Sequence, residues 1–174
     1  MIAAPLAALA GLVLLAAPAS ATEGVARGTL QDGEHNYQIA VAAGWRPTDA
    51  PAGTLLSYQG PGKKGHLAIT RVEIGRVGKE DQPRMVDEIE RGVEKSTRGY
   101  KRLKRKLTTT AIGVPVLDLV YQRTAQAGGH PLIMSRFLLF RRHTVVLSIG
   151  VDPGERSARR DAEAMIQSFT PFVP

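Results

Sequence analysis

The chain has 174 residues, with 23 lysines and arginines against 16 acidic residues, a formal net charge of +7 and no cysteine. This length is enough for one domain with its own apolar core and leaves little room for two. The missing thiols exclude disulfides, cysteine nucleophiles and a lipid anchor on cysteine, so the fold is held together by burial alone.

The chain begins with an apolar segment that is typical of an export signal. Residues Ile2 to Ala19 are almost all apolar, and Ala19-Ser20-Ala21 is the small-x-small pattern that signal peptidase cuts. We therefore predict a cleaved signal peptide over residues 1–21 and a periplasmic or secreted domain over residues 22–174. An uncleaved N-terminal anchor is the alternative, because no lysine or arginine precedes the apolar run, which is just long enough to span a bilayer.

Alternating apolar residues predict three strands in the first part of the mature chain. Tyr37, Ile39 and Val41 fall on one side of a strand, with smaller or polar residues between them. A short second strand is expected at residues 55–58, and a longer one, rich in β-branched residues, at 66–74. The first of these strands has one face suited to a core.

Two amphipathic helices are predicted from apolar residues at helical spacing. The first runs from Asp81, a fair N-cap, to Arg98, where Gly99 ends it. The second begins after Asp152, which is followed by a proline and a glutamate, and continues to Phe169. Both helices have one apolar side, so both are expected to lie on a sheet.

Between the helices the sequence predicts four antiparallel strands joined by short turns. The segment 100–107 fits a helix or a strand, and the three threonines after it favour a strand. A strand through residues 117–121 follows, then one at 132–140 that is apolar on both faces, and one at 144–151. The predicted fold class is α+β, with a mainly antiparallel sheet and two principal helices.

Three landmarks, in this order, resemble the Mog/PsbP-like superfamily, and within it the exported bacterial PsbP-like domains. The resemblance covers most of residues 30–172, and Ala42 stands where the family usually has proline. It implies an α/β/α sandwich and a non-catalytic binding or assembly module, and no functional residue set of the family carries over. The landmarks are Tyr37-x-Ile39-x-Val41-x-x-Gly44-Trp45, Gly113-Val114-Pro115-Val116 and Ser168-Phe169.

No motif in the sequence indicates an enzyme, a metal site or a cofactor. Gly60-x-Gly62-x-x-Gly65 has the spacing of a dinucleotide fingerprint, but a predicted strand follows it instead of a helix. The histidines, at positions 35, 66, 130 and 143, lack metal-ligand spacing, and no Gly-x-Ser-x-Gly elbow occurs. Asp87, Glu88 and Glu90 are expected on the exposed face of the first helix. We expect no catalysis, metal or cofactor.

A cluster of basic residues is the strongest candidate for a binding surface. In a strand, Arg102, Lys104 and Lys106 are expected to share one face. An exported domain with this surface would bind an unknown protein or an anionic envelope component, with peripheral membrane contact, and not nucleic acid. The alternative is a solvated edge strand whose lysines prevent aggregation. The candidate residues are Lys101, Arg102, Lys104, Arg105, Lys106, Arg141 and Arg142.

The second hypothesis for function is a small-ligand carrier. Trp45, which follows a glycine at a strand end, and Tyr121 would line a pocket between the sheet and a helix. The structural alternative for Trp45 is that it closes the edge of the core and bonds its indole N–H to a carbonyl.

Overall fold

The computed structural model of the protein describes residues 28–74, 81–124 and 131–172. The predicted signal segment and His130 lie outside these ranges. The described residues form ten strands and two α-helices, in the following chain order: β1 (Gly28–Asp32), β2 (Tyr37–Val41), β3 (Arg46–Pro47), β4 (Thr54–Gln59), β5 (Gly65–Glu73), α1 (Gln82–Ser96), β6 (Lys101–Thr109), β7 (Pro115–Gln122), β8 (Leu132–Leu139), β9 (His143–Val151), α2 (Arg156–Ser168) and β10 (Thr170–Pro171).

The strands form two antiparallel sheets. The main sheet has the order β3-β4-β5-β9-β8-β7-β6, and the small one has the order β1-β2-β10. The predicted run of four antiparallel strands between the helices is present as β6 to β9, each paired with the next. β5 then pairs with β9, which joins the first strands of the chain to this run.

Alternate residues of the central strands enter two separate cores. Leu138 and Leu147 point to the face covered by α2 and the small sheet, where Met165 packs on them. Their neighbours Phe137 and Val146 point to the opposite face, which α1 covers. All eight residues of β8 are buried, as expected for a strand covered on both sides. The α/β/α sandwich and the α+β class are therefore confirmed.

Both helices are shorter than the sequence predicts. α1 ends at Ser96, two residues before the expected end. α2 begins at Arg156, because Glu155 N donates to Asp152 O in a turn that contains Gly154, a residue unfavourable in the first turn of a helix. Within the described ranges, no helix is long and apolar enough to span a membrane.

Three strands were not predicted from the sequence. β1 pairs along all of β2, so that Leu30 lies opposite Ile39 and adds to the core. β3 and β10 are two residues long each, too short to carry an alternating pattern.

Candidate functional site: the basic edge and the groove beside it

The basic cluster of the sequence lies on an edge strand of the main sheet. β6 pairs with β7, and no other described strand pairs with it. All nine of its residues are exposed. The choice of a strand over a helix for this segment is thus confirmed. We call its five basic residues the basic edge: Lys101, Arg102, Lys104, Arg105 and Lys106.

A β-bulge at Leu103 divides the basic edge between the two faces of the sheet. Arg102 lies opposite Tyr121, whereas Lys104 lies opposite Val120, so one residue of β6 is left without a partner. The prediction that Arg102 shares a face with Lys104 and Lys106 is therefore wrong. The extra residue reverses the alternation, because a shift of one position moves every following side chain to the other face.

The two arginines of the basic edge face α1 and are held by its carboxylates. Arg102 Nη1 donates to Glu90 Oε1 at 2.7 Å, and Arg105 contacts Glu90 Oε2 at 3.1 Å and Asp87 Oδ1 at 2.6 Å. Glu90 was expected on the exposed side of the helix, but its side chain is only 10 % exposed. It is buried because donors from β6 and from Tyr100 surround its carboxylate.

Tyr100, just before β6, adds a third donor to this cluster. Its hydroxyl donates to Glu90 Oε1 at 3.1 Å. Burial, with Glu90 nearby, raises the pKa of Tyr100 to about 12. The hydrogen bond to Glu90 raises the pKa of Arg102 as well. Tyr100 and Arg102 therefore stay protonated beside Glu90, and the guanidinium groups of Arg102 and Arg105 are paired with the two carboxylates of α1.

The three lysines of the basic edge lie on the other face and remain unneutralised. In the strand register, Lys104 lies opposite Val120 of β7 and Lys106 lies opposite Asp118. The side chains of these two β7 residues point toward the α2 layer. In the part of the chain that the structure describes, neither lysine forms an ion pair, and neither does Lys101. Three ammonium groups thus lie along one side of an exposed strand.

A groove of about 550 Å³ opens beside one of these lysines, Lys104. It exists because α2 packs mainly against β8, β9 and β2, and makes no comparable contact with β6 and β7. Val120, Leu132 and Met134 give it an apolar floor, and Lys104 stands at its rim. On the α2 side the rim carries Arg159 and Glu163, which pair with each other at 3.0 Å; other lining residues are Leu103, Gln122, Ile166 and Gln167.

Beneath the groove the structure contains an ion pair that the sequence interpretation missed. Asp118 and Arg136 lie opposite each other on β7 and β8, with 16 % and 11 % of their side chains exposed. The signal available in the sequence was an acidic residue and a basic residue inside otherwise apolar strands. Such residues are buried when they satisfy each other.

Trp45 and Tyr121 do not line a common pocket, so that prediction is wrong. Trp45 is 5 % exposed and belongs to the core on the α2 side, packed on Gly60 and Gly65. Tyr121 belongs to the core under α1, with its ring centroid 5.1 Å from that of Tyr100. The two residues are therefore on opposite faces of the sheet.

Trp45 closes the edge of the core, as the structural alternative predicts, but it does not form the expected hydrogen bond. Its indole N–H is buried and has no hydrogen-bond partner among the described residues. Its ring lies so close to Gly65 that a side chain there would contact it.

Arg141 and Arg142 are not part of the basic edge. Both are exposed in the turn between β8 and β9. β8 lies two strands inward from β6, which is about 10 Å at ordinary strand spacing. The structure thus gives this turn a separate position from the lysines.

The remaining chemical candidates are resolved by local geometry. Gly60-x-Gly62-x-x-Gly65 forms a short 3-10 turn that leads into β5, so no helix N-terminus follows the glycines. Ser57 Oγ lies 3.0 Å from His66 Nε2, a contact not visible in the sequence, but Ser57 is only 3 % exposed and also bonds Thr48. Within the described ranges no three acidic or histidine side chains form a group suited to a metal ion.

The structure is similar to that of the cyanobacterial PsbP protein (CyanoP) from Synechocystis sp. PCC 6803. The two superimpose with a TM-score of 0.66 over 89 % of this chain and 98 % of that chain, at 12 % sequence identity. The fold is PsbP-like. At this level of identity the likeness extends to the architecture of the PsbP-like domain and to nothing finer.

Other comparisons add little to this likeness. A protein of unknown function from Pseudomonas aeruginosa matches the PsbP-like domain with a TM-score of 0.47 and 17 % identity, over 79 % of this chain and 90 % of that chain. We draw nothing from a TM-score this low. No protein-family model matches the sequence, and no curated protein does.

Proposed function

We propose that this protein is a non-enzymatic, exported interaction or assembly module that docks onto an anionic component of the cell envelope through its basic edge. One observation carries the proposal: Lys101, Lys104 and Lys106 are exposed on one strand and have no carboxylate partner in the described part of the chain. The arginines beside them form ion pairs with carboxylates of α1, and these pairs hold the strand that carries the three unpaired lysines in place.

Electrostatics gives this arrangement a preference for anionic partners. Exposed charges act over roughly 8–10 Å at ordinary salt, which is enough for the three lysines to act on one partner. Near an anionic membrane surface each lysine contributes about 1 kcal/mol. A surface of this kind therefore fits peripheral contact with lipid head groups, with lipopolysaccharide or with an acidic protein.

Export is the second part of the proposal. It is supported by the apolar segment and the small-x-small site within residues 1–21, which lie outside the described residues. We infer a periplasmic or secreted location, with an uncleaved N-terminal anchor as the alternative. N-terminal sequencing of the protein recovered from the envelope fraction distinguishes the two.

Co-sedimentation of the full chain with phosphatidylglycerol vesicles, and its binding to lipopolysaccharide and to polyglutamate, test the docking. We compare wild type with Lys104→Glu/Lys106→Glu at low and high salt. Reversal of two lysines should weaken binding at low salt about tenfold or more, and high salt should weaken the binding of wild type.

The matched control is Arg46→Glu/Lys63→Glu, which changes the net charge equally but on β3, at the opposite edge of the sheet, and in the turn between β4 and β5. Both of its residues are exposed. If this control loses as much affinity as the Lys104/Lys106 variant, only net charge matters. If no anionic probe binds wild type, the basic edge is a solvated strand and the proposal is wrong.

A small-ligand carrier is the second candidate function, and the groove beside Lys104 favours it. A volume of about 550 Å³ is in the range of small-molecule sites. Its apolar floor and a lysine at its rim suit a ligand with an apolar body and an anionic end. Anilinonaphthalene sulfonate is a fluorescent probe of this kind.

Val120→Trp would fill the floor of the groove and should abolish binding of that probe. Val72→Trp is the matched control, since Val72 is 50 % exposed on β5 and does not line the groove. Native mass spectrometry of the purified protein would reveal a bound ligand directly. Equal probe binding by both variants would reject the carrier.

A further inference from the structure

The two edges of the main sheet are built differently. At one edge β3 is two residues long, Arg46–Pro47, and proline has no amide hydrogen to donate. At the other edge β6 continues for nine residues. Short edge strands and proline are common ways to prevent a foreign strand from adding to a sheet. β6 has a bulge and exposed lysines, which also hinder the addition of a foreign strand, but from Lys104 onward its register with β7 is regular.

The backbone of the regular half of β6 presents free hydrogen-bonding groups in a defined order. Thr110 N donates to Val114 O across the turn into β7. Successive backbone amides of an antiparallel strand point alternately toward and away from the neighbouring strand. Because the amide of Thr110 points to β7, those of Lys104, Lys106 and Thr108 do so too. The amides of Arg105, Leu107 and Thr109 consequently point away from the sheet, and no described strand receives them.

The side chains of the same strand indicate what could cover it. Leu107 is 48 % exposed on the α1 face, and Lys104 and Lys106 stand unpaired on the α2 face. A second copy of this chain would place basic residues opposite basic residues, which is destabilising in a strand pair. An acidic strand would instead place carboxylates beside the two lysines and an apolar residue beside Leu107.

We propose that β6 receives an acidic, extended segment of a partner protein as an added strand. The inference rests on the proposed function and specifies it, because it names a polypeptide as the anionic partner and backbone hydrogen bonding as the mode of contact. In the complementary segment acidic residues occupy alternate positions, opposite Lys104 and Lys106. Apolar residues occupy the positions between them, opposite Arg105 and Leu107.

The probe for the test is a peptide of alternating glutamate and valine, as long as β6. Two versions carry N-methyl groups, one on every glutamate and the other on every valine. Both keep the full charge, but only one of the two sets of amides faces β6 in an added strand. We expect the methylated peptides to differ in affinity for the full chain by about tenfold or more.

Hydrogen exchange locates the peptide on the protein. The unmodified peptide should slow exchange at the amides of Arg105, Leu107 and Thr109, and leave those of Lys104 and Lys106 nearly unchanged. Leu107→Pro removes one backbone amide donor that points away from β7, without changing a charge. It should weaken the binding of the peptide without altering the salt dependence of that binding. If this variant fails to fold, the methylated peptides decide the question with wild-type protein.

The outcomes separate this inference from the proposed function. Equal affinity of the two methylated peptides, lost in Lys104→Glu/Lys106→Glu, would overturn strand addition and leave the basic edge as an anion-binding surface. Binding to phosphatidylglycerol vesicles but to no peptide would overturn the acidic polypeptide as partner. Binding to neither would overturn both.

Discussion

Arg136 of β8 and Asp118 of β7 form a bidentate ion pair, and the same arginine links the main sheet to the last helix. Nε of Arg136 lies 2.6 Å from Oδ1 of Asp118, and Nη2 lies 2.9 Å from Oδ2. Nη1 of the same arginine points to the carbonyl oxygens of Gln167 and Phe169, at 3.4 Å each. Since these carbonyls belong to the C-terminal end of α2, one guanidinium group holds the floor of the groove and the helix beside it.

Asp118→Ala should lower the free energy of unfolding by about 3–5 kcal/mol, because it leaves a largely buried guanidinium without its counter-charge. Urea denaturation measures the change. The control is Asp87→Ala, which breaks the more exposed pair with Arg105 and should cost no more than about 1 kcal/mol. Asp118→Leu combined with Arg136→Met should recover most of the loss. Equal effects of the two single variants would contradict this account.

Glu90→Gln should strengthen the binding of phosphatidylglycerol vesicles severalfold. The substitution removes the buried charge that pairs with Arg102, so the guanidinium group of Arg102 becomes available at the basic edge, while Arg105 keeps its pair with Asp87. Glu88→Gln is the control, because it changes the net charge equally on the same helix but affects Arg84 instead. If both variants strengthen binding to the same extent, Arg102 does not contribute.

Acidification should destabilise the protein through His143. Burial lowers the pKa of this ring, and Arg71 and His35 lower it further, whereas Glu73 acts in the opposite direction. At a pH between the pKa of His143 in the folded protein and its pKa in the unfolded chain, the unfolded chain binds more protons than the folded one. The contribution to stability is therefore fully present above the unfolded pKa of about 6.5, and it is lost as the pH falls through the lower folded pKa.

Urea denaturation of wild type and His143→Asn over this pH interval measures that contribution. The variant should lose less stability than wild type between about pH 7 and pH 5, because it has no ring to protonate there. Titration of the His143 ring by NMR should show a midpoint below that of an unstructured histidine. Parallel stability curves for the two proteins would exclude this residue as the cause.

Gly65→Ala should destabilise the protein by about 1–3 kcal/mol through overpacking against Trp45. A Cβ atom at this position would lie 2.7 Å from Cη2 of the indole ring. Trp45 is the only tryptophan, so its fluorescence reports the displacement directly. Gly92→Ala is the control: it meets nothing within 4 Å on the helix surface and should stabilise α1 by up to about 1 kcal/mol. A neutral Gly65→Ala would show that the ring can move aside.

Most of the fold was predictable because its signals are local. Period-two alternation at Tyr37, Ile39 and Val41 gave β2, and helical spacing gave α1 and α2 to within a few residues. The order of strands between the helices, joined by short turns, predicts the antiparallel run β6 to β9. Each of these inferences needs only neighbours in sequence, since the period of the apolar residues reflects the geometry of the element itself.

The candidate site was predictable in composition and not in arrangement. The sequence by itself determined that five basic residues lie within 101–106, on a segment suited to a strand. Only the tertiary structure decided that a bulge at Leu103 places the arginines on the α1 face and the lysines on the α2 face, where Lys104 reaches the groove. It also decided that Glu90 is buried. The reason is that strand register and helix docking depend on partners distant in the chain, and one extra residue reverses every face that the local alternation predicts.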